Sequence, residues 1–201
     1  MTDRIEELAR AFERFPGIGS RQAKRFVYFL LTVPPSDRAR IADLLIHLND
    51  DIRQCTMCMR YAATVDGSLC SYCADRSRDD SLLMIVEKDQ DLQAVERAQA
   101  YRGRYFVLGG VITLSGKGQI RERDLVRVVE ERAKRGLNEI VLALSATSEG
   151  EHTADRVRFL LAPLRASLTI SELGRGLSTG SELEYADGPT LASALQNRKE
   201  K

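Results

Sequence analysis

The chain is short of several things that would point to common functions. No apolar run approaches the roughly 18 residues of a membrane span, and Met1-Thr2-Asp3-Arg4 does not open a secretory signal. The expected compartment is therefore the cytoplasm, with no membrane partner. Net charge is also scarce: a formal +1 provides no global pull toward nucleic acid. There are two histidines. His47 lies off the apolar stripe of its helix, and His152 adjoins acidic residues without a nucleophile beside it. No Ser/His/Asp set and no reactive cysteine can be assembled. What is present is an ordinary globular balance, 43% apolar and 29% charged over 201 residues. That length suits one large domain or two small ones.

The four cysteines all fall in one stretch: Cys55-Thr-Met-Cys58, eleven residues, then Cys70-Ser-Tyr-Cys73. Two Cys-x-x-Cys turns at this separation can offer four thiolates to one tetrahedral ion, for which Zn²⁺ is the ordinary occupant. Asp66-Gly67 is the expected reversal point of the loop between them. Two disulfides are disfavoured without a secretory signal, and a redox pair would need only one turn. Four thiolates leave no open position for a reacting water, so the zinc should be structural, one per chain.

The near-neutral total hides a local bias. From Arg14 to Arg40 there are six basic residues against one acid, Asp37. Ile5, Leu8, Ala9 and Phe12 predict a helix over about 3–14. Phe15-Pro-Gly-Ile-Gly-Ser20 stops it, and Ala23, Phe26, Val27, Leu30 and Leu31 mark a second helix with Ser20 as N-cap. Gly17 and Gly19 are expected to adopt backbone conformations closed to other residues and to bare the amides. A bare helix N-terminus binds phosphate without reading bases. Arg21 and Arg25 would flank that phosphate, with Lys24 beside them; the bland alternative is a solvated basic turn after a glycine connection. After Pro34-Pro35, a third apolar stripe, Ile41, Leu44, Leu45, Leu48 and Ile52, is expected to run down to Cys55.

Beyond a polar linker over 76–80, strands alternate with helices: strands at 82–87, 105–108, 139–144 and 168–170, helices at 89–98, 121–135 and 151–161. Unbroken apolar strands spaced by helical periods predict a doubly wound parallel sheet over roughly 80–175. A last helix is expected to start at Pro189 behind Asp187. Glu87 closes the first strand, while Glu149 and Glu151 follow the third. At the carboxyl ends of parallel strands these carboxylates could converge on Mg²⁺, or could cap helices and meet a partner. Gly110 to Gly118 is not a nucleotide loop. Five residues rather than four precede Gly116-Lys117, and no Ser or Thr follows the lysine.

Taken in order, these modules resemble the RecR family of bacterial recombination mediators over nearly the whole chain. The resemblance rests on Phe15-Pro-Gly-Ile-Gly with Arg21 and Arg25, and on the cysteine turns. It continues through Ile85-Val-Glu-Lys, Tyr101-Arg-Gly-Arg-Tyr-Phe-Val-Leu-Gly-Gly110, Ser148-Glu-Gly-Glu-His-Thr-Ala154 and the run from Gly174 to Asp187. It implies an α/β chain with a helix-hairpin-helix region (1–53), a four-cysteine zinc finger (54–76), a TOPRIM domain (80–175) and a C-terminal segment with a tail helix (176–201). Family members look like ring-shaped homotetramers on single- and double-stranded DNA, associated with the nucleoid. They act with RecO, and often RecF, to load RecA on single strands. By similarity Arg21 and Arg25 carry the DNA contact.

In TOPRIM enzymes, positions like Glu87, Glu149 and Glu151 hold catalytic Mg²⁺; in RecR-like chains the same edge looks like a docking surface for RecO. The resemblance implies a chain that is not an enzyme and for which Mg²⁺ is the lesser expectation. The competing expectation is a Mg²⁺-dependent nuclease. Between Leu114 and Leu125 the sequence departs from the family's usual proline-containing loop.

Overall fold

The computed structural model describes residues 3–165 and 168–198. The outermost ends of the expected first and last segments, residues 1–2 and 199–201, lie outside the described residues. The chain divides into two compact units, Met1–Asp51 and Ile52–Lys201.

In the first unit, α1 (Arg4–Glu13) starts where the Asp3 carboxylate accepts the Ile5 N–H at 3.0 Å. Its partner α2 (Ser20–Thr32) meets it through Ala9, Ala23 and Val27, with Ile5, Phe12 and Ile18 packed around them. The small alanines let the two backbones approach, and Phe12 closes the end of the pair edge-on to Phe26. Pro35 opens α3 (Pro35–Ile46), where its missing N–H costs nothing. Arg38 joins α3 to α2 by donating to the Leu30 and Val33 carbonyls.

The expectation of a continuous third stripe is corrected. α3 stops at Ile46 and α4 covers only Leu48–Asp51, while Ile52 already belongs to a strand. Neither helix has a buried residue, and Ile41, Leu44, Leu45, Ile46 and Leu48 remain exposed. The periodicity is helical, but its apolar face has no cover within this unit.

The second unit opens with an antiparallel pair, β1 (Ile52–Gln54) and β2 (Tyr61–Ala63), and a single turn, α5 (Ser71–Ala74). Then come β3 (Asp79–Val86), α6 (Asp89–Ala98), β4 (Gly103–Val107), α7 (Glu122–Ala133), β5 (Glu139–Ala143), α8 (Ser148–Leu161), β6 (Thr169–Glu172) and α9 (Gly188–Gln196). The four later strands form one parallel sheet in the order β4-β3-β5-β6. Asp79 and Asp80, expected in a linker, are the first residues of β3. The last helix starts at Gly188, one residue before the expected Pro189, and Asp187 caps it, accepting the Thr190 N–H at 2.8 Å.

Alternate side chains of β3 enter different core layers, as a strand apolar on both faces requires. Leu83 and Ile85 pack with Phe106, Leu125, Val128 and Val157 under α7 and α8. Met84 and Val86 pack with Tyr105, Val107 and Leu92 of α6, and this second layer also contains Cys55, Cys58 and Cys70. The chain leaves β3 for β4 on one side and returns to β5 on the other, so the crevice at their carboxyl ends is a topological switch point. Glu87 sits there.

Gly150, in the first turn of α8, shows how closely that crevice is built: a methyl there would collide with the Ser145 carbonyl. Gly188, at the start of α9, meets nothing. Gly150→Ala is expected to lower unfolding free energy by roughly 1–3 kcal/mol through overpacking. Gly188→Ala should be close to neutral. Urea titrations of the two variants beside the parent check this.

Candidate functional site

The cysteine turns are shaped by backbone bonds before any ion is considered. The Met59 N–H returns to the Cys55 carbonyl at 3.0 Å, and the Cys55 N–H to the Arg60 carbonyl at 2.9 Å. Met59 takes the left-handed conformation (φ 61°) that finishes this turn. Gly67 (φ 81°) reverses the loop, as expected, and the Asp66 carboxylate accepts from the Ser68 and Leu69 N–H groups. Cys70 then sits opposite Thr64, and α5 turns Cys73 back toward Cys70.

One sulfur from each of the four cysteines lies within 4.8 Å of the others, and Cys58 Sγ is 3.5 Å from Cys70 Sγ. A disulfide would require about 2.05 Å, and all four thiols are free. Tetrahedral Zn–S bonds of about 2.3 Å place sulfurs roughly 3.8 Å apart, so the donor set fits such an ion. The Cys70 N–H donates to the Cys55 sulfur at 3.4 Å, a bond that favours the thiolate.

The cluster is fastened to the sheet. The Val107 N–H of β4 donates to the Cys58 carbonyl at 2.8 Å. Arg127 of α7 donates to the Thr56 carbonyl at 2.9 Å, and Arg104 of β4 to the Tyr72 and Cys73 carbonyls at 2.8 and 3.2 Å. Arg60 and Arg78 stack on the Tyr72 ring. Arg104 and Arg132, both buried, were not foreseen. The available signal was an arginine inside the apolar run Gly103-Arg104-Tyr105-Phe106-Val107.

The second expected site is the start of α2. The Phe15 carbonyl accepts the Ile18 N–H at 3.1 Å with Pro16 and Gly17 between, and Gly17 has φ 77°. That is a type II turn with proline and glycine at its two demanding positions. Two expectations are corrected here. Gly19, not Ser20, is the N-cap, and Gly19 is in ordinary extended backbone (φ −86°). Its contribution is the absence of a side chain: no side chain caps α2, so its first amides are open.

Arg21 makes no ion pair or hydrogen bond among the described residues, and Arg25 reaches only Gln22 at 3.3 Å. Lys24 differs, pairing with Glu6 of α1 at 2.7 Å, which raises the Lys24 pKa.

The acidic edge is the third, where convergence on Mg²⁺ was the lesser of two expectations. Among the described residues, the cysteines are the one group gathered at ligand distance. Glu87 is buried, and one of its oxygens accepts both the N–H and the hydroxyl of Ser145 at 2.6 Å. Glu149 and Glu151 are two apart on α8 and therefore face different ways. Glu151 is held by Arg175.

The helix-hairpin-helix model of RecR matches residues 5–48, the Toprim domain model residues 81–171, and the RecR C-terminal model residues 176–199. Recombination protein RecR of Mycobacterium leprae is 38% identical over 199 residues, covering 97% of this chain and 96% of that protein. The chain belongs to the RecR family. The corresponding protein of Mycobacterium tuberculosis strain H37Rv is also 38% identical, and that of Cutibacterium acnes 36% over 195 residues. The Toprim match spans β3 to β6, and the helix-hairpin-helix match spans α1 to the start of α4. No helix among the described residues is long and apolar enough to cross a membrane.

The sulfur geometry predicts one zinc per chain in protein purified without chelator, measured by elemental analysis against thiol titration. Cys58→Ala should lose the metal and lower Tm by on the order of 10 °C, because binding free energy is folding free energy here.

Proposed function

We propose that the chain is a non-catalytic DNA-binding mediator of recombinational repair, holding single- and double-stranded DNA without sequence preference and acting with RecO and RecF to load RecA on single strands. The observation that carries this reading is the uncapped start of α2. A type II turn delivers open amides at the positive end of a 13-residue helix, with Arg21 unpaired beside them. Such a site takes a phosphate oxygen from any sequence. Arg25 is one turn along, while Lys24 must first leave Glu6 and so contributes less.

A chain of near-neutral charge needs several such patches at once, and a homotetramer supplies them by avidity. The uncovered apolar side chains of α3, above all Leu44, Leu45 and Ile46, are at least 60% exposed, which supports burial against another copy. In the acidic edge, Glu87 is spent on Ser145, leaving Glu149, and Glu151 once Arg175 is displaced from it, as the carboxylates a basic partner such as RecO would meet. The same internal bonds, with Arg175 on Glu151, speak against Mg²⁺ chemistry there. The cysteine cluster holds structural Zn²⁺ in this reading.

Native mass spectrometry should give a four-chain mass. Fluorescence anisotropy with labelled oligonucleotides should show affinity falling steeply with salt. Arg21→Ala with Arg25→Ala should weaken binding about tenfold or more and flatten the salt slope by roughly 1.4 on single strands. Unchanged affinity would remove DNA from the reading. With Mg²⁺ or Mn²⁺ the parent should leave DNA intact; cleavage that disappears in Glu87→Gln would replace the mediator by a nuclease.

A further inference from the structure

A second concentration of arginine lies in the Ile52–Lys201 unit, at the end of the sheet opposite the acidic edge. A cleft of about 380 Å³ opens between the second cysteine turn and α7. Arg76 leaves the cysteine segment on one side, Arg104 comes from β4, and Arg132 and Arg135 come from the last turn of α7 and just beyond it.

These arginines are not equally employed. Arg104 is engaged through two of its nitrogens, Nε to Asp80 at 2.7 Å and Nη1 to the Tyr72 and Cys73 carbonyls. Arg132 is 5% exposed, yet its Nε has no acceptor. Its ion-pair neighbour among the described residues is Asp80, at 3.7 Å, too far for a hydrogen bond. Asp80 is already taken by Arg104.

The other lining acid, Asp66, accepts three bonds from the Ser68 and Leu69 groups of its own turn. Arg135 holds only the surface partner Glu131, and Arg76 is exposed with no partner among the described residues. A buried guanidinium with an idle donor is an exception that a bound water or ion would explain, and Arg60 Nη1 and Arg78 Nε share it, but only Arg132 lines a cleft with two further underused arginines.

We propose that this cleft is a phosphate-binding site, separate from the α2 helix end. The donors decide the class of ligand. Three arginines with spare N–H groups approach from two walls, which suits an anion carrying oxygens in several directions; a carboxylate presents two in one plane. The phosphate is either a free anion or a phosphodiester of a bound strand. The site stands on these residues alone and does not depend on the role assigned to α2.

The full-length zinc protein is titrated with sodium phosphate against sodium chloride at equal ionic strength, following Tm and zinc content. The parent should show a saturable rise in Tm specific to phosphate. The rim variant Arg76→Ala with Arg135→Ala changes exposed residues and should keep the fold while losing that rise, as should Arg132→Met. A charge-matched control, Arg97→Ala with Arg123→Ala, should retain it. A rise that does not saturate, or that is equal in all of these proteins, is general salt stabilisation and overturns the site.

The same proteins are then tested on an oligothymidine of about 30 residues. A salt slope reduced by about 1.4 in the rim variant identifies a strand phosphodiester as the ligand. An unchanged slope with a lost phosphate response identifies a free phosphate. Because Arg21 and Arg25 are intact throughout, failure at the cleft and failure at the helix end are read separately.

Discussion

Four sulfur atoms brought within 4.8 Å of one another are the constraint on which the second unit depends. Thiolates at that distance repel unless a cation lies among them, and the turns that carry them have little regular structure of their own. Yet Cys55, Cys58 and Cys70 are also part of the core layer formed with Met84, Val86, Leu92, Tyr105 and Val107. The loop from Cys55 to Cys73 is therefore one wall of the sheet, where a helix would lie in a simpler doubly wound domain. An ion that closes this loop also completes the burial of β3 and β4. Arg104 and Arg127 transmit the connection, each donating to a carbonyl of one cysteine turn.

At the opposite end of the strands the fold has arranged its carboxylates quite differently. Glu87 sits at the switch point where a parallel sheet places its chemistry, but Ser145 satisfies one oxygen twice over. Glu151 is neutralised by Arg175, and Glu149 points elsewhere around α8. This Toprim sheet thus carries two acids, Glu87 and Glu151, that its own serine and arginine hold. The three carboxylates are not gathered at the distance a single cation would need.

Much of this was legible in the residues. The cysteine spacing implied a single cluster, and the clustered sulfurs match it. The apolar runs at Leu83–Val86 and Ile140–Leu142 implied strands covered on both sides, because alternation was absent where one face would have met water. The Pro-Gly pair at 16–17 implied a turn, and the type II geometry needs those two residues. What could not be read depended on partners distant in sequence.

Periodicity placed Leu44 and Leu45 on a helix but carried no information on whether anything in the same chain would cover them. Gly19 looked like a conformational necessity, whereas its φ is ordinary and only its missing side chain matters. Three acids near strand ends looked convergent, although the helical rotation between positions 149 and 151 separates two of them. Arg132 lay in an ordinary charged helix segment, and only the packing of α7 reveals that it is buried.

The bonds made by β4 outside the sheet have one more implication. Val107 gives its N–H to Cys58, and its carbonyl accepts from Arg121; the Gly103 and Arg104 carbonyls accept from Arg78 and Tyr101. An outermost strand normally offers a ladder on which a stray segment can template itself. Here the Gly103 and Val107 rungs at the two ends of the strand are occupied by side chains and a cysteine turn, so this margin offers a foreign strand only a shortened ladder.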